Sequence, residues 1–266
     1  MQENLINQVM AEVTRRIQES NKTSDDTAKN APNAQAALAM PEFVGTAIGH
    51  TIGLVIPNVD SSLHSFMKLD KRYRALGILG ARTGAGPQIL AADEAVKACN
   101  VDVLSIELPR DTEGGAGHGS LIIFGSDDVA DAHRAVEVAL AEIDRTMGDV
   151  YGNEAGHLEF QYTARASHAC NKAFNAPINK AFGLIVGGPA AIGVVMADTA
   201  IKAAQVDVVG YGSPGNGGTS FSNEAILMIS GDSGAVRQAV ISAREVGLKL
   251  LGAMGSEPKS TTTPYI

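Results

Sequence analysis

The chain has 266 residues, enough for two domains of ordinary size, and 45% of them are hydrophobic, which suffices to build cores. A formal net charge of -8 argues against nucleic acid and anionic membrane surfaces as partners, because both select for basic patches. The sequence has no apolar run of 18 residues to predict a transmembrane helix, and its polar start is unlike a signal peptide. Cys99 and Cys170 lack disulfide or metal-site spacing and indicate a reducing compartment. A soluble cytoplasmic protein is expected.

Residues 1–40 differ in character from the rest of the chain. Apolar side chains at Leu5, Val9, Val13 and Ile17 predict one stripe on a short amphipathic helix, and residues 20–39 read as a polar linker. So short a helix is marginal alone. Its stripe therefore either docks on the chain's own domain or anchors another protein.

The remainder of the chain is a tandem repeat. ADEAVKACNVDV at residues 92–103 and ADTAIKAAQVDV at 197–208 share eight of twelve residues, at an offset of about 105. The pair Gly49-His50 recurs as Gly156-His157 at a similar offset. Such self-similarity indicates two structural units. We predict an N-terminal extension over residues 1–40, a first domain over 41–148, and a second domain with a C-terminal tail over 149–266.

Each copy alternates strand-length apolar runs with stretches of helical period. Strands are predicted at 43–56, 76–79, 101–106 and 121–124, and helices at 60–68, 89–99, 127–146, 190–204 and 233–250. Asp127 or Asp128, and Asp232 or Ser233, stand where helix N-caps belong. Strands joined by glycine-rich loops form hairpins. The predicted fold is therefore α+β, with mostly antiparallel sheets and helices on one face, and an extended surface tail over 257–266.

Three motifs could indicate a catalytic, phosphate-binding or metal site, but each has a simpler structural explanation. Gly231-Asp232-Ser233-Gly234 resembles a serine-protease nucleophile segment, yet it opens a helix and has a repeat counterpart at residues 125–128. The loop Gly80–Pro87 lies where phosphate-binding loops occur, but it fits neither GxGxxG nor a P-loop. The six histidines show no ligand spacing typical of a metal site. We therefore predict no catalytic residue, no cofactor and no metal.

Two glycine-dense loops stand out because they occupy the same place in both copies. They are DTEGGAGHGS at 111–120 and SPGNGGTSFSN at 213–223. Such loops are either flexible surface turns or the lining of a narrow opening, where backbone N–H groups and hydroxyls contact solutes. Their recurrence favours an opening.

These features together resemble the bacterial microcompartment shell domain, most closely over residues 197–240. The strand–helix segment that this family usually has at its C-terminus precedes each copy here, at 43–68 and 157–174. That order is similar to the circularly permuted, tandem-domain branch of the family. The resemblance extends over residues 41–266, and residues 1–40 are similar to an N-terminal extension.

The resemblance implies a structural shell protein and not an enzyme, located in a microcompartment shell in the cytoplasm. Three subunits would form a homotrimer that tiles with other shell proteins and passes small polyols or alcohols such as 1,2-propanediol or glycerol; residues 1–20 would hold the enzyme core. Near the threefold axis the implied pore-lining residues are Gly114, Gly115, Gly117, His118, Ser120, Ser213, Asn216, Gly217, Thr219, Ser220 and Phe221. Arg82, Thr83 and Gly84 would face a smaller pore within each subunit. A small-molecule sensor is the alternative function, because duplicated α+β domains often bind metabolites.

Overall fold

The computed structural model describes residues 41–109, 119–216 and 223–266. The first half forms a five-stranded sheet in the order β1-β2-β3-β5-β4. Its strands are β1 (Glu42–Ala47), β2 (Thr51–Ile56), β3 (Ala75–Ala81), β4 (Asp102–Glu107) and β5 (Ser120–Ser126). Its helices are α1 (Ser61–Phe66), α2 (Gly86–Ala98) and α3 (Val129–Thr146).

The second half forms a six-stranded sheet in the order β11-β6-β7-β8-β10-β9. Its strands are β6 (Val150–Asn153), β7 (Gly156–Thr163), β8 (Ala181–Gly188), β9 (Asp207–Gly212), β10 (Ala225–Gly231) and β11 (Lys259–Ser260). Its helices are α4 (His168–Phe174), α5 (Ala190–Ala203) and α6 (Ser233–Gly252), and a 3₁₀ turn spans Pro214–Asn216.

The two sheets have the same strand order apart from the added edge strand β11. Every strand pairing within them is antiparallel. The predicted α+β class with duplicated, permuted antiparallel units is therefore confirmed. The finer division at residues 40/41 and 148/149 stays a prediction.

The single strand predicted over residues 43–56 is wrong, since β1 and β2 form a hairpin there. The turn contains Gly49 at φ +76° and His50 at φ +51°. The positive φ favours glycine at position 49, where an added Cβ would also lie 3.2 Å from the Thr83 carbonyl oxygen and 2.4 Å from Cε at the tip of Met147. The apolar residues continue through the turn, and the sequence pattern therefore conceals it.

The longer helices cover one face of each sheet, as predicted. Helix α3 contacts β1, β2, β3 and β5, whereas α5 and α6 pack on the second sheet. Gly187 on β8 and Gly193 on α5 meet so closely that an added Cβ on Gly187 would approach the Gly193 Cα to 2.5 Å. Backbone contact of this kind explains why glycine replaces bulk in this core.

Aspartate side chains begin two of these helices. The Asp128 carboxylate accepts a hydrogen bond of 2.8 Å from the Ala130 N–H, and that of Asp232 accepts one of 2.9 Å from the Gly234 N–H. These contacts select Asp128 and Asp232 from the predicted N-cap alternatives. The GDSG segment is thus a strand-to-helix turn.

The C-terminal residues were predicted to form an extended surface tail, but they pack against the second sheet. Strand β11 pairs with β6, and Ile266 is buried. Buried Asp149 accepts hydrogen bonds from the Tyr265 and Ile266 N–H groups at 2.8 and 3.1 Å and forms an ion pair with Arg244.

In the described part of the chain, no helix is long and apolar enough to cross a membrane.

Candidate pore loops and the seam between the two halves

The predicted subunit-pore residues lie in the turn between β3 and α2. Arg82 is exposed, Thr83 is half-buried, and Gly84 is buried at φ +74°. The Gln88 side chain, on the first turn of α2, donates a 3.1 Å hydrogen bond to the Thr83 carbonyl and one of 3.2 Å to the Thr51 hydroxyl. The Gln88 side chain therefore holds this turn in place through the Thr83 carbonyl.

Two buried oxygens in this region have no hydrogen-bond partner in the described ranges. They are Oε1 of Gln88 and Oγ of Ser120, and Gln88 and Ser120 are 0% and 3% exposed. Buried polar atoms are rarely left unsatisfied, and ordered water is the usual partner where the protein supplies none. Ser120 begins β5, where it pairs with Ala81, the residue before the Arg82–Gly84 turn.

Sequence reasoning singled out Ser120 but missed Gln88 and Thr51. The missed signal is the difference between the two copies. At the repeat positions of Thr51, Gln88 and Ser120 the second copy has Leu158, Gly193 and Ala225. The polar cluster therefore belongs to the first copy alone.

Most of the predicted central-pore residues lie outside the described ranges. These are Gly114, Gly115, Gly117, His118, Gly217, Thr219, Ser220 and Phe221. Of the described ones, Ser213 donates its N–H to the Asn216 side chain at 2.8 Å, and Asn216 lies exposed on the 3₁₀ turn. Ser120 is buried, as above. The assignment of these residues to pores stays a prediction.

A cluster of titratable side chains lies at the start of β7. The His157 imidazole Nε2 is 3.2 Å from the Glu224 carboxylate Oε2, and Glu159 is buried two residues further along the strand. Burial raises the pKa of Glu159 to about 7, opposed by His157 and reinforced by Glu224. Burial lowers the pKa of His157, but the Glu224 hydrogen bond and both carboxylates outweigh it, so this pKa is raised.

The cluster has no geometry for a metal ion. Across the described ranges, no three His, Cys, Asp or Glu side chains are arranged to hold one. A cleft of about 600 Å³ opens beside it, lined by His157, Glu224, Asn153 and Asn223 among others.

The two halves meet at a seam in which α4 of the second half covers α2 and β4 of the first. Ile89 and Leu90 of α2 belong to one buried apolar cluster with Cys170, Phe174, Leu184 and Val186 of the second half. Helix α2 also contacts β7. The second sheet therefore lies between its own helices and a helix of the first half.

Asp93 of α2 fixes α4 at this seam. Its fully buried carboxylate accepts hydrogen bonds from the Ser167 N–H at 2.9 and 3.0 Å and from the Cys170 N–H at 3.0 Å. Lys97, one turn later, forms a 3.0 Å ion pair with it. An acidic side chain from the first half thus caps a helix of the second.

The equivalent surfaces of the two copies are exposed. In α5, Val194 and Val195 stand where α2 has Ile89 and Leu90, and they are 50% and 44% exposed. In α1, Leu63 occupies the position of buried Cys170, and Phe66 is 87% exposed. The chain therefore carries both kinds of surface for a second seam, and among the described residues neither surface has a partner.

Comparisons with known proteins agree with this duplicated architecture. A family model described as the BMC domain matches residues 75–154 and again residues 181–257. The chain is 64% identical to the bacterial microcompartment shell protein PduB of Citrobacter freundii, across 98% of each chain. It is 63% identical to PduB of Salmonella typhimurium, with the same coverage.

Solved structures give the same result. A trimeric bacterial microcompartment shell protein PduB matches with a TM-score of 0.82 and 56% identity, covering 85% of this chain and all (100%) of that one. EtuB from Clostridium kluyveri matches with a TM-score of 0.82 and 53% identity, covering 88% of this chain and 100% of that one.

Proposed function

Because the chain belongs to the BMC-domain family of bacterial microcompartment shell proteins, we propose that three copies close into a ring by repeating their internal seam between subunits. As a member of this family the chain is a structural component of a microcompartment shell in the cytoplasm, and not an enzyme. The observation that supports the ring is the exposed pair of seam surfaces, on α1 and on α5 with β9, which have no partner among the described residues.

The proposed contact follows the internal one element by element. Helix α1 of one subunit packs on α5 and β9 of the next, as α4 packs on α2 and β4 within the chain. The exposed apolar side chains that this contact would bury are Leu63, Phe66, Val194, Val195, Ile201, Val208 and Tyr211. Each single contact joins unlike surfaces, and such head-to-tail contacts close into a ring when the rotation per subunit allows it. Two copies per chain and three chains give six units in that ring.

The test disables one surface at a time. Phe66→Asp removes the α1 surface and Val194→Asp the α5 surface; because both side chains are exposed, each variant is expected to fold. Each variant alone keeps only one intact surface, so every contact between its copies would pair that surface with a disabled one, and it is expected to be monomeric by native mass spectrometry. Mixed together, the two variants still have one intact pair of surfaces, and a dimer is expected.

The matched control is Met254→Asp, since Met254 is also exposed but lies outside both surfaces. This variant is expected to remain trimeric. Trimers of both seam variants, or a mixture that stays monomeric, would show that the contact is made elsewhere. A wild-type chain that is monomeric would instead count against the shell ring itself.

We further propose that small polyols or alcohols such as 1,2-propanediol or glycerol pass through the shell at openings lined by the predicted loop residues. The oxygens of Gln88 and Ser120, which have no hydrogen-bond partner among the described residues and lie next to the Arg82–Gly84 turn, support a polar path in the first copy. A solute hydroxyl can replace water there at a small net change in free energy. It must bind weakly enough to leave again.

We also propose that residues 1–20 hold the enzyme core by the apolar stripe of Leu5, Val9, Val13 and Ile17. Val9→Asp places a charge in that stripe and is expected to abolish co-purification of core enzymes with the trimer. Gln8→Asp, off the stripe, is the control and is expected to retain them. Equal co-purification with both variants would refute the anchor.

A further inference from the structure

Three titratable side chains lie in adjacent positions on the face of the second sheet that meets α2. His157 pairs across the ladder with Gly188, and Glu224 immediately precedes β10 on the far side of that glycine. A Cβ at Gly188 would lie 2.8 Å from His157 Cε1, so the missing side chain makes room for the imidazole to reach Glu224. The resulting ion pair is largely shielded, with 14% and 3% of the two side chains exposed.

Glu159 lies on the same face, because residues two apart on a strand share one side. Its carboxylate is directed at the other half of the chain: Oε2 is 3.6 Å from the position that a Cβ on Gly86, the first residue of α2, would occupy. Among the described residues, none donates a hydrogen bond to this carboxylate. A buried carboxylate without donors is costly in its ionised form.

Few charged side chains surround Glu159. The neighbouring strands place Val150 and Val186 beside it, and the first turn of α2 carries neither an acidic nor a basic side chain. The titratable groups that act on it are His157 and Glu224. At the junction of the two halves Glu224 therefore contacts the His157 imidazole, and both groups act electrostatically on Glu159.

We propose that His157, Glu159 and Glu224 form a proton-sensitive lock at the internal seam, closed when Glu159 is protonated and loosened when it ionises. With its proton, Glu159 is neutral against α2, and His157 and Glu224 balance each other. Without it, a second negative charge is buried beside Glu224 with no donor to stabilise it. Water must then enter the seam to solvate that charge, which separates β7 from α2.

The lock is confined to the internal seam. At the repeat positions of His157, Glu159 and Glu224 the first copy has His50, Ile52 and Gly119, so neither carboxylate of the cluster has a counterpart there. This comparison rests on the proposed ring. If the cluster is confined in this way, a change of pH alters the internal seam between β7 and α2 and leaves the contacts between subunits intact.

The direction of the pH effect follows from the raised pKa of Glu159, about 7 in the folded chain against 4.5 ordinarily. The folded state then binds this proton about 300-fold more tightly than the unfolded state. Its stabilisation is complete below about pH 4.5 and is lost as pH rises through about 7. The raised pKa of His157 acts in the same sense, since that contribution is also lost as pH rises.

The experiment measures the thermal midpoint of the full-length trimer from pH 5.5 to 8.5, together with hydrogen–deuterium exchange of peptides covering β7 and α2. For the wild type, the midpoint is expected to fall by on the order of 5 °C across this range. Exchange corrected for its intrinsic pH dependence is expected to rise at both elements. The native mass is expected to stay that of a trimer.

Glu159→Gln is expected to flatten both responses, and Glu159→Ile, which installs the residue of the first copy, provides a second variant with the same expectation. Glu245→Gln, at an exposed position on α6, is the matched control and is expected to keep the wild-type slope. A wild-type slope in both Glu159 variants, or no slope in the wild type, would overturn the lock. Dissociation of the wild-type trimer at high pH would instead contradict its confinement to the internal seam.

Discussion

Asp93 and Asp198 occupy equivalent repeat positions and have opposite surroundings. Asp93 is fully buried and caps α4, whereas the Asp198 side chain is 59% exposed and forms a 2.7 Å ion pair with Lys202. The local sequence around both is nearly the same. The difference arises because α4 reaches Asp93 within the chain, while the matching helix for Asp198 belongs to a neighbour in the proposed ring.

Asp93→Ala is expected to destabilise the chain by about 2–4 kcal/mol, because the Ser167 and Cys170 N–H groups and the Lys97 ammonium lose a buried partner. Urea unfolding of the full chain would measure this change. Asp144→Ala, at an exposed carboxylate on α3, is expected to change stability by less than about 0.5 kcal/mol. A similar loss in both variants would contradict the capping role.

At the scale of elements, the short helices show how context decides what a segment does. Helix α1 has six residues and α4 has seven, too few for either to persist alone. The left-handed residues Lys68 and Asn175 follow them at equivalent positions, both at φ 55°. The two helices are thus locally alike, yet only α4 is buried in the described chain. Their repeat sequences do not reveal this, because the contacts that bury α4 come from residues about 75 positions away.

For the whole molecule, the proposed route for solutes predicts weak binding. Glycerol titrated into the isotopically labelled full-length trimer is expected to shift NMR signals around Thr83 with a dissociation constant in the millimolar range, about -4 kcal/mol. Such affinity lets a solute exchange across a shell. Thr83→Val is expected to weaken these shifts, and Thr262→Val, in the C-terminal tail, is expected to leave them unchanged. Micromolar, stoichiometric binding would favour the sensor alternative, and no binding would contradict a polar path at this turn.

The sequence by itself determined the duplication, the antiparallel α+β class, the approximate helix starts at Asp127 or Asp128 and at Asp232 or Ser233, and the family. These follow from local pattern: strand and helix periods, capping residues and a repeat that can be aligned by eye. The family resemblance also carried the shell function, because the matching motifs are long.

Only the tertiary structure decided which equivalent residues are buried and which charges meet. Asp93 caps a helix of the other half, Gln88 donates a hydrogen bond to the Thr51 hydroxyl, and Glu224 pairs with His157 across a glycine. Each contact joins residues far apart in the chain, and packing between elements sets their distance. Repeat positions with similar sequences therefore have different environments, because both surfaces of the internal seam lie within the chain, whereas the equivalent exposed surfaces would meet another subunit in the proposed ring.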